Sequence, residues 1–231
     1  MSALPADVWL RIPQAGPVRS VVDFLWPPAC PLCLRGGPDR LCDTCRALVS
    51  VLPADERTVV VPGCDLVLAS VPYEPPVRDL LVRAKYAGDP HPLTALSVLF
   101  AELLPVEDIV ADVIVPVPLS RSRRRRRGYD QVAPLARAVA TRMALPIEGR
   151  GLRRRRGGDA QVGLTRAARR RNLRGRFVCV PDLSGRRALL VDDVVTTGAT
   201  LEAAAAALRD AGADMVVAAC LFRTRAVEAQ K

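Results

Sequence analysis

The stretch with the most chemistry in it is Ala188-Leu-Leu-Val-Asp-Asp-Val-Val-Thr-Thr-Gly-Ala-Thr-Leu201. An apolar run ends in two adjacent carboxylates, passes through a Thr/Gly loop and enters an amphipathic segment. In parallel α/β sheets, ligands bind at the carboxyl ends of the strands. A loop entering a helix there presents unpaired N–H groups to an anion. Thr196, Thr197 and Thr200 add hydroxyl donors, and Gly198 lets the backbone approach a phosphate closely. Asp192 and Asp193 can accept hydrogen bonds from vicinal sugar hydroxyls, or hold Mg²⁺ through its waters. A ribose 5-phosphate satisfies both ends of such a site. Val-Asp-Asp at a strand end also occurs in phospho-acceptor receiver domains. The lack of a Gly-Lys-Ser/Thr run argues against a P-loop.

Four of the seven cysteines form two CxxC pairs, Cys30-Pro-Leu-Cys33 and Cys42-Asp-Thr-Cys45, with eight residues between them. Each CxxC turn brings two thiolates to one side of a tight loop, and two such knuckles complete a four-sulfur tetrahedral site for Zn²⁺. A pair of disulfides and a redox CxxC are the alternatives. With four protein ligands the site is closed, so the metal is expected to be structural. Cys179 and Cys220 lie in apolar, strand-like runs and read as small core residues.

The net charge of +10 is unevenly distributed. Residues 1–115 carry 9 basic and 14 acidic side chains, whereas 116–187 carry 21 basic and 4 acidic, a local net of +17. Arginine outnumbers lysine 32 to 2, and the guanidinium concentrates at 121–127 and 153–156. A field of this kind attracts phosphates, whether of a nucleotide, a sugar phosphate or a nucleic acid. The surplus over one pyrophosphate suggests a second anionic partner, single-stranded DNA first, against a solvated loop. Aromatics make up only 4% of the chain, so base-stacking platforms are sparse.

These groups must be positioned by a scaffold, and the apolar periodicity describes one. Strands are predicted over 66–71, 112–118, 188–193 and 215–222, and helices over 77–86, 93–104, 130–145 and 200–211. Val77, Leu80, Leu81 and Ala84 line one helix face. Val132, Leu135, Ala136, Val139, Ala140 and Met143 line another, with Asp130 as its N-cap. Strand and helix alternate, so the fold class is α/β, a mostly parallel sheet with helices on both faces. The first 55 residues form a small N-terminal helix and zinc module, which needs its metal to fold. Pro53 and Pro62 mark a linker, and the main domain occupies 65–231. The Arg-rich stretch 150–176 reads as a mobile loop with a short helix. Lys85 is either a phosphate contact or a solvated helix end. His91, between two prolines, is a loop residue, and Trp9 and Trp26 pack the zinc module onto the main domain.

The 188–201 segment resembles the phosphoribosyl-pyrophosphate (PRPP) motif of type I phosphoribosyltransferases, and the chain as a whole is similar to the ComF family, linked to DNA uptake in natural competence. The resemblance runs through the two CxxC knuckles, Leu81-Val-Arg-Ala-Lys-Tyr86, Val115-Pro-Val-Pro-Leu-Ser120, Arg127-Gly-Tyr-Asp-Gln131, then Gln161, Arg169 and Asn172, and finally 188–201. It implies a type I phosphoribosyltransferase fold with Zn²⁺ in the knuckles and Mg²⁺ bound with PRPP. Asp192 and Asp193 would be the catalytic carboxylates on the ribose hydroxyls. Val194, Thr196, Thr197, Gly198, Ala199 and Thr200 would hold the 5-phosphate, and Leu119, Ser120 and Arg121 the pyrophosphate. Residues 150–176 would be the hood over the site. The chain departs from the family's Arg-Gly-Phe-Asn-Gln run at Tyr129 and Asp130, and from its hood threonine, where Gly157-Gly158-Asp159 stands. These changes bear on the acceptor side.

Two classes of function follow. One is a phosphoribosyltransferase acting on an acceptor the residues do not name; such chemistry needs a general base, and none stands out. The other is a non-catalytic PRPP-sensing or single-stranded-DNA-binding protein acting in DNA uptake or recombination. No apolar run approaches the eighteen or so residues of a spanning helix, and no secretory signal is evident, so a cytoplasmic protein without membrane insertion is expected.

Overall fold

The computed structural model describes residues 29–37, 40–155 and 175–224. In chain order it contains helix α1 (Asp43–Ala47), strand β1 (Leu66–Pro72), helices α2 (Val77–Tyr86) and α3 (Pro92–Leu103), strand β2 (Val113–Pro116), helices α4 (Arg121–Arg127) and α5 (Val132–Met143), strands β3 (Leu152–Arg154), β4 (Phe177–Cys179) and β5 (Arg187–Val195), helix α6 (Ala199–Asp210) and strand β6 (Met215–Arg223). Four strands form a wholly parallel sheet in the order β1-β6-β5-β2. β3 and β4 form a separate antiparallel ribbon. Among the described residues, no helix is long and apolar enough to cross a membrane.

Alternation along the strands divides the core into two layers. On β5, Leu189 and Val191 face the layer built by α2, α3 and α5, while Ala188 and Leu190 face the layer built by α6 and the ribbon residues Leu152 and Phe177. The four residues expected to face inward on α2 are all buried, as are five of the six on α5, Met143 being half-buried. Both edges of the sheet are covered. The segment expected to be a linker runs antiparallel to β1, with Val59 N–H donating to Val67 O at 3.0 Å. On the other edge Glu148 N–H donates to Ile114 O at 2.8 Å.

Three local differences from expectation shape the site. β5 runs two residues past Asp193, to Val195, because its pairing with β6 holds as far as Val195↔Arg223. β2 stops at Pro116, where Pro116 and Pro118 lack the N–H groups needed to continue the ladder. The last contact between the two is Val117 N–H to Val191 O at 2.9 Å. β5 therefore runs on beyond its neighbour, and Asp192–Val195 border the loop that follows β2. Secondly, the residues after that loop form helix α4, which is not among the helices expected from apolar periodicity. Ser120 caps it by accepting the Arg123 N–H, and Gly128, at φ 79°, closes it. Thirdly, α5 starts at Val132 with Gln131 as N-cap, and Asp130, one position further out, accepts the Val132 N–H at 3.0 Å.

The described end of the N-terminal module packs on the main domain. Cys30, Leu41 and Cys45 belong to the layer of α2 and α3. Arg46 pairs with Glu102 of α3, and Arg83 of α2 donates to Pro31 O at 2.6 Å. Trp9, Trp26 and the expected N-terminal helix lie outside the described residues.

Gly198, between β5 and α6, is required twice over. Its φ is 76°, and a Cβ there would meet the Val61 side chain at 2.6 Å. What approaches this backbone closely is thus the segment along β1. Gly198→Ala should destabilise the protein by about 1–3 kcal/mol in urea unfolding. Combined with Val61→Ala it should cost less than the sum of the two single changes, because the steric part is removed. Strict additivity would contradict the contact.

Candidate functional site

The carboxylate pair sits where β5 outruns β2. Asp193 is 6% exposed, and both of its oxygens are engaged. Lys85, at the end of α2, donates to Oδ1 at 3.0 Å, and Gln131, the N-cap of α5, donates through Nε2 to Oδ2 at 2.8 Å. A buried carboxylate needs such partners to stay ionised. Lys85 is therefore not a solvated helix end; it is the counter-charge of the second aspartate. Asp192 accepts the Asp193 N–H at 2.8 Å. Burial and then the charge of Asp193 push its carboxyl up to about 8, against the pull of that N–H, Lys85 and Arg154. Cationic or hydrogen-bond-donating ligands would lower it again.

The loop that follows presents Thr196 and Thr197 to solvent, with Thr200 half-buried in the first turn of α6. Free N–H groups at this helix start are suited to an anion. Across from it, Leu119 and Ser120 lie in the loop after β2, and Arg121 opens α4, exposed like the arginines that follow it as far as Arg126. The ribbon reaches the same place. Arg154 stacks on Phe177 at 4.6 Å and donates to Pro118 O at 2.9 Å. The remaining residues of the expected hood, 156–174 with Gln161, Arg169 and Asn172, lie outside the described residues.

Sequence reasoning reached both aspartates and both loops but missed Lys85 and Gln131 as partners. Their only sequence signal is placement, one at a helix end and the other at a helix start. Tyr129, where the resembling family has phenylalanine, uses its extra atom: the hydroxyl donates to Ala84 O, tying the start of α5 to α2 beside Lys85. Asp130 accepts the Val132 N–H through its side chain, a bond an asparagine oxygen could also make.

The four clustered cysteines form a second site. Their Sγ atoms all lie within 4.8 Å of one another, and Cys33 and Cys42 are 3.7 Å apart. A disulfide would require about 2.05 Å, whereas tetrahedral Zn²⁺ with bonds of about 2.3 Å separates its sulfurs by about 3.8 Å. The donor set and spacing fit a structural metal such as zinc. The thiols also respond to one another. Burial opposes ionisation of Cys30, but backbone hydrogen bonds from Cys33, Cys42 and Leu32 bring it down to about 6. Burial and hydrogen bonding to the other three thiols push Cys45 up to about 12. Four thiolates this close need a cation to coexist.

A family model described as the phosphoribosyl transferase domain matches residues 131–231. The DNA utilization protein YhgH of Escherichia coli O157:H7 is 31% identical over 204 residues, covering 84% of this chain and 90% of that protein. Competence protein F of Haemophilus influenzae is 35% identical over 108 residues, 46% of this chain and 47% of that protein. The chain belongs to the ComF family. Competence protein ComFC of Bacillus subtilis is 28% identical over 200 residues, 79% of this chain and 72% of that protein. A solved B. subtilis glutamine PRPP amidotransferase, complexed with ADP and GMP, is similar at 25% identity and a TM-score of 0.40, over 55% of this chain and 25% of that one. This ComF-family chain thus has an α/β, phosphoribosyltransferase-like fold with a cysteine cluster in its N-terminal part.

Purified protein should carry one zinc per chain by elemental analysis. Cys45→Ser should lower both zinc content and the unfolding midpoint. Under denaturing, chelating conditions all seven cysteines should alkylate without reductant. Mass shifts showing two disulfides would contradict the metal site.

Proposed function

We propose that the protein binds PRPP at the end of β5 and transfers its phosphoribosyl group to an acceptor. The observation that carries this reading is the pairing of a buried, counter-charged carboxylate with a Thr/Gly helix entry on one strand, in a chain with a phosphoribosyl transferase domain. The 5-phosphate sits on the N–H groups at the start of α6 and the hydroxyls of Thr196, Thr197 and Thr200, with Val194, Gly198 and Ala199 shaping the loop. The Asp192–Asp193 pair lies on the ribose side. Leu119, Ser120 and Arg121 receive the pyrophosphate. As the bond from C1 to pyrophosphate breaks, positive charge develops on the ribose and negative charge on the leaving group. The surrounding arginines stabilise the latter, and the fold must exclude water from the former. Asp192 offers the hard oxygen that suits Mg²⁺, which would offset charge on the departing pyrophosphate when bound with PRPP.

A second reading is that the pocket senses PRPP while the basic surface binds single-stranded DNA. It is favoured by α4, whose seven residues include six arginines with no acidic neighbour in the helix. Like charges at four-residue spacing disfavour a helix, and an anionic partner relieves that repulsion. The relatives named for competence and DNA utilization agree with it.

Calorimetric titration of Mg·PRPP into zinc-loaded protein should give saturable binding, reduced at least tenfold in an Asp192→Asn/Asp193→Asn variant. A folded wild-type protein that gives no binding would contradict both readings. Pyrophosphate release on adding an acceptor distinguishes transfer from sensing.

A further inference from the structure

We infer that Arg127 is a further binding residue for the pyrophosphate end of the phosphosugar. In the free protein it rests on Tyr86, and its guanidinium turns to a phosphate oxyanion when the ligand enters. The inference rests on the PRPP reading for the identity of that ligand.

Arg127 differs from the rest of its helix. Arg121 and Arg123 to Arg126 are exposed, whereas Arg127, at the end of α4, is half-buried. Its Nε and Nη1 are shielded from solvent and have no hydrogen-bond partner among the described residues. Buried donors left unpaired are costly, the more so on a charged group. A guanidinium cannot shed its charge to escape that cost. What the side chain gains in return is its place over the Tyr86 ring, 5.5 Å from the centroid. Tyr86 is 68% exposed, and a cation on an exposed ring is weakly held. Such a contact uses the face of the guanidinium and leaves its N–H edge empty. The resting position is therefore one that an oxyanion would improve.

The acidic side chains of this corner are already paired, Asp89 with Arg83 at 2.7 Å and Asp193 with Lys85 at 3.0 Å. Among the described residues the anion is thus left for a ligand to supply, and the position of Arg127 points to which one. α4 starts from its Ser120 cap, in the loop proposed for pyrophosphate, and ends at Arg127. The residues that follow turn back to the carboxylates. Tyr129 donates to Ala84 O beside Lys85, and Gln131 donates to Asp193 at 2.8 Å. The charge of Arg127 reaches the Tyr129 phenol, where it opposes the upward push of burial and of Asp89. Arg127 therefore stands between the pyrophosphate loop and the carboxylate end of β5. Its planar fork of donors matches the paired acceptor oxygens of a phosphate.

The test uses full-length, zinc-loaded protein as wild type, Arg127→Met, Arg127→Lys and Arg125→Met, the last removing one exposed charge from the same helix. Calorimetry reads the affinities for Mg·pyrophosphate, Mg·PRPP and ribose 5-phosphate, and the unfolding midpoint is read without ligand. Arg127→Met should weaken Mg·pyrophosphate and Mg·PRPP binding about tenfold and leave ribose 5-phosphate unchanged. Its midpoint should equal or exceed that of wild type, because the orphaned donors are gone. Arg127→Lys should recover only part of the affinity, since a point charge lacks the paired donors. Arg125→Met should change each affinity by less than about twofold, its charge being screened by water and salt. A lower midpoint for Arg127→Met marks a structural role and overturns the inference. Unchanged Mg·pyrophosphate affinity, or an equal loss for ribose 5-phosphate, overturns it too. If wild type binds Mg·pyrophosphate but neither phosphosugar, the PRPP reading falls and the pyrophosphate arm alone decides Arg127. Binding of none of the three ligands overturns both.

Discussion

Asp193 is a charged group buried in a parallel sheet, and the architecture around the site follows from the need to compensate it. An ionised carboxylate in that position is tolerable only with an opposite charge and hydrogen bonds in contact. Lys85 supplies the first and Gln131 the second, from two helices on the same face of the sheet. α2 and α5 are thereby held to one end of β5, in addition to their apolar packing along its length. Among the described residues no cation is in direct contact with the neighbouring carboxyl of Asp192, and burial and the charge of Asp193 raise it.

Strand lengths then decide where this charged end is accessible. β2 ends in a Pro-x-Pro run, while β5 keeps pairing with β6 through Val195. The mismatch places Asp192 beside the loop after β2 and directly before the helix-entry loop that holds Thr196 and Thr197. The close seat of Gly198 on Val61 connects this loop to the segment covering the β1 edge. That segment leads back to the cysteine knuckles, which pack on α2 and α3 through Cys30, Cys45 and the Arg46–Glu102 pair. The cysteine cluster is thus mechanically continuous with the helices that support the site, although its chemistry is separate.

The sheet and its helices were legible from periodicity because their burial is local and regular: Val77, Leu80, Leu81 and Ala84 can face only one way on a helix. The two aspartates and the Thr/Gly loop were legible because their chemistry is contiguous in the chain. The buried ion pair was not. Lys85 and Asp193 are 108 residues apart, and nothing near either names the other. Helix α4 was missed because a run of arginines has no apolar period, and its capping by Ser120 and Gly128 outweighs that. Of the β3–β4 ribbon only the apolar run around Cys179 read as strand-like, because the three-residue strands Leu-Arg-Arg and Phe-Val-Cys are too short to carry an alternation.

The most direct measurement is a crystal structure of the zinc-loaded protein grown with Mg·PRPP. The account predicts the 5-phosphate at the start of α6 on the 196–200 loop and the ribose against the Asp192–Asp193 pair. Lys85 and Gln131 should still be bonded to Asp193. PRPP seated on the arginines of α4 with the end of β5 empty, or Lys85 withdrawn from Asp193 onto the pyrophosphate, would contradict it.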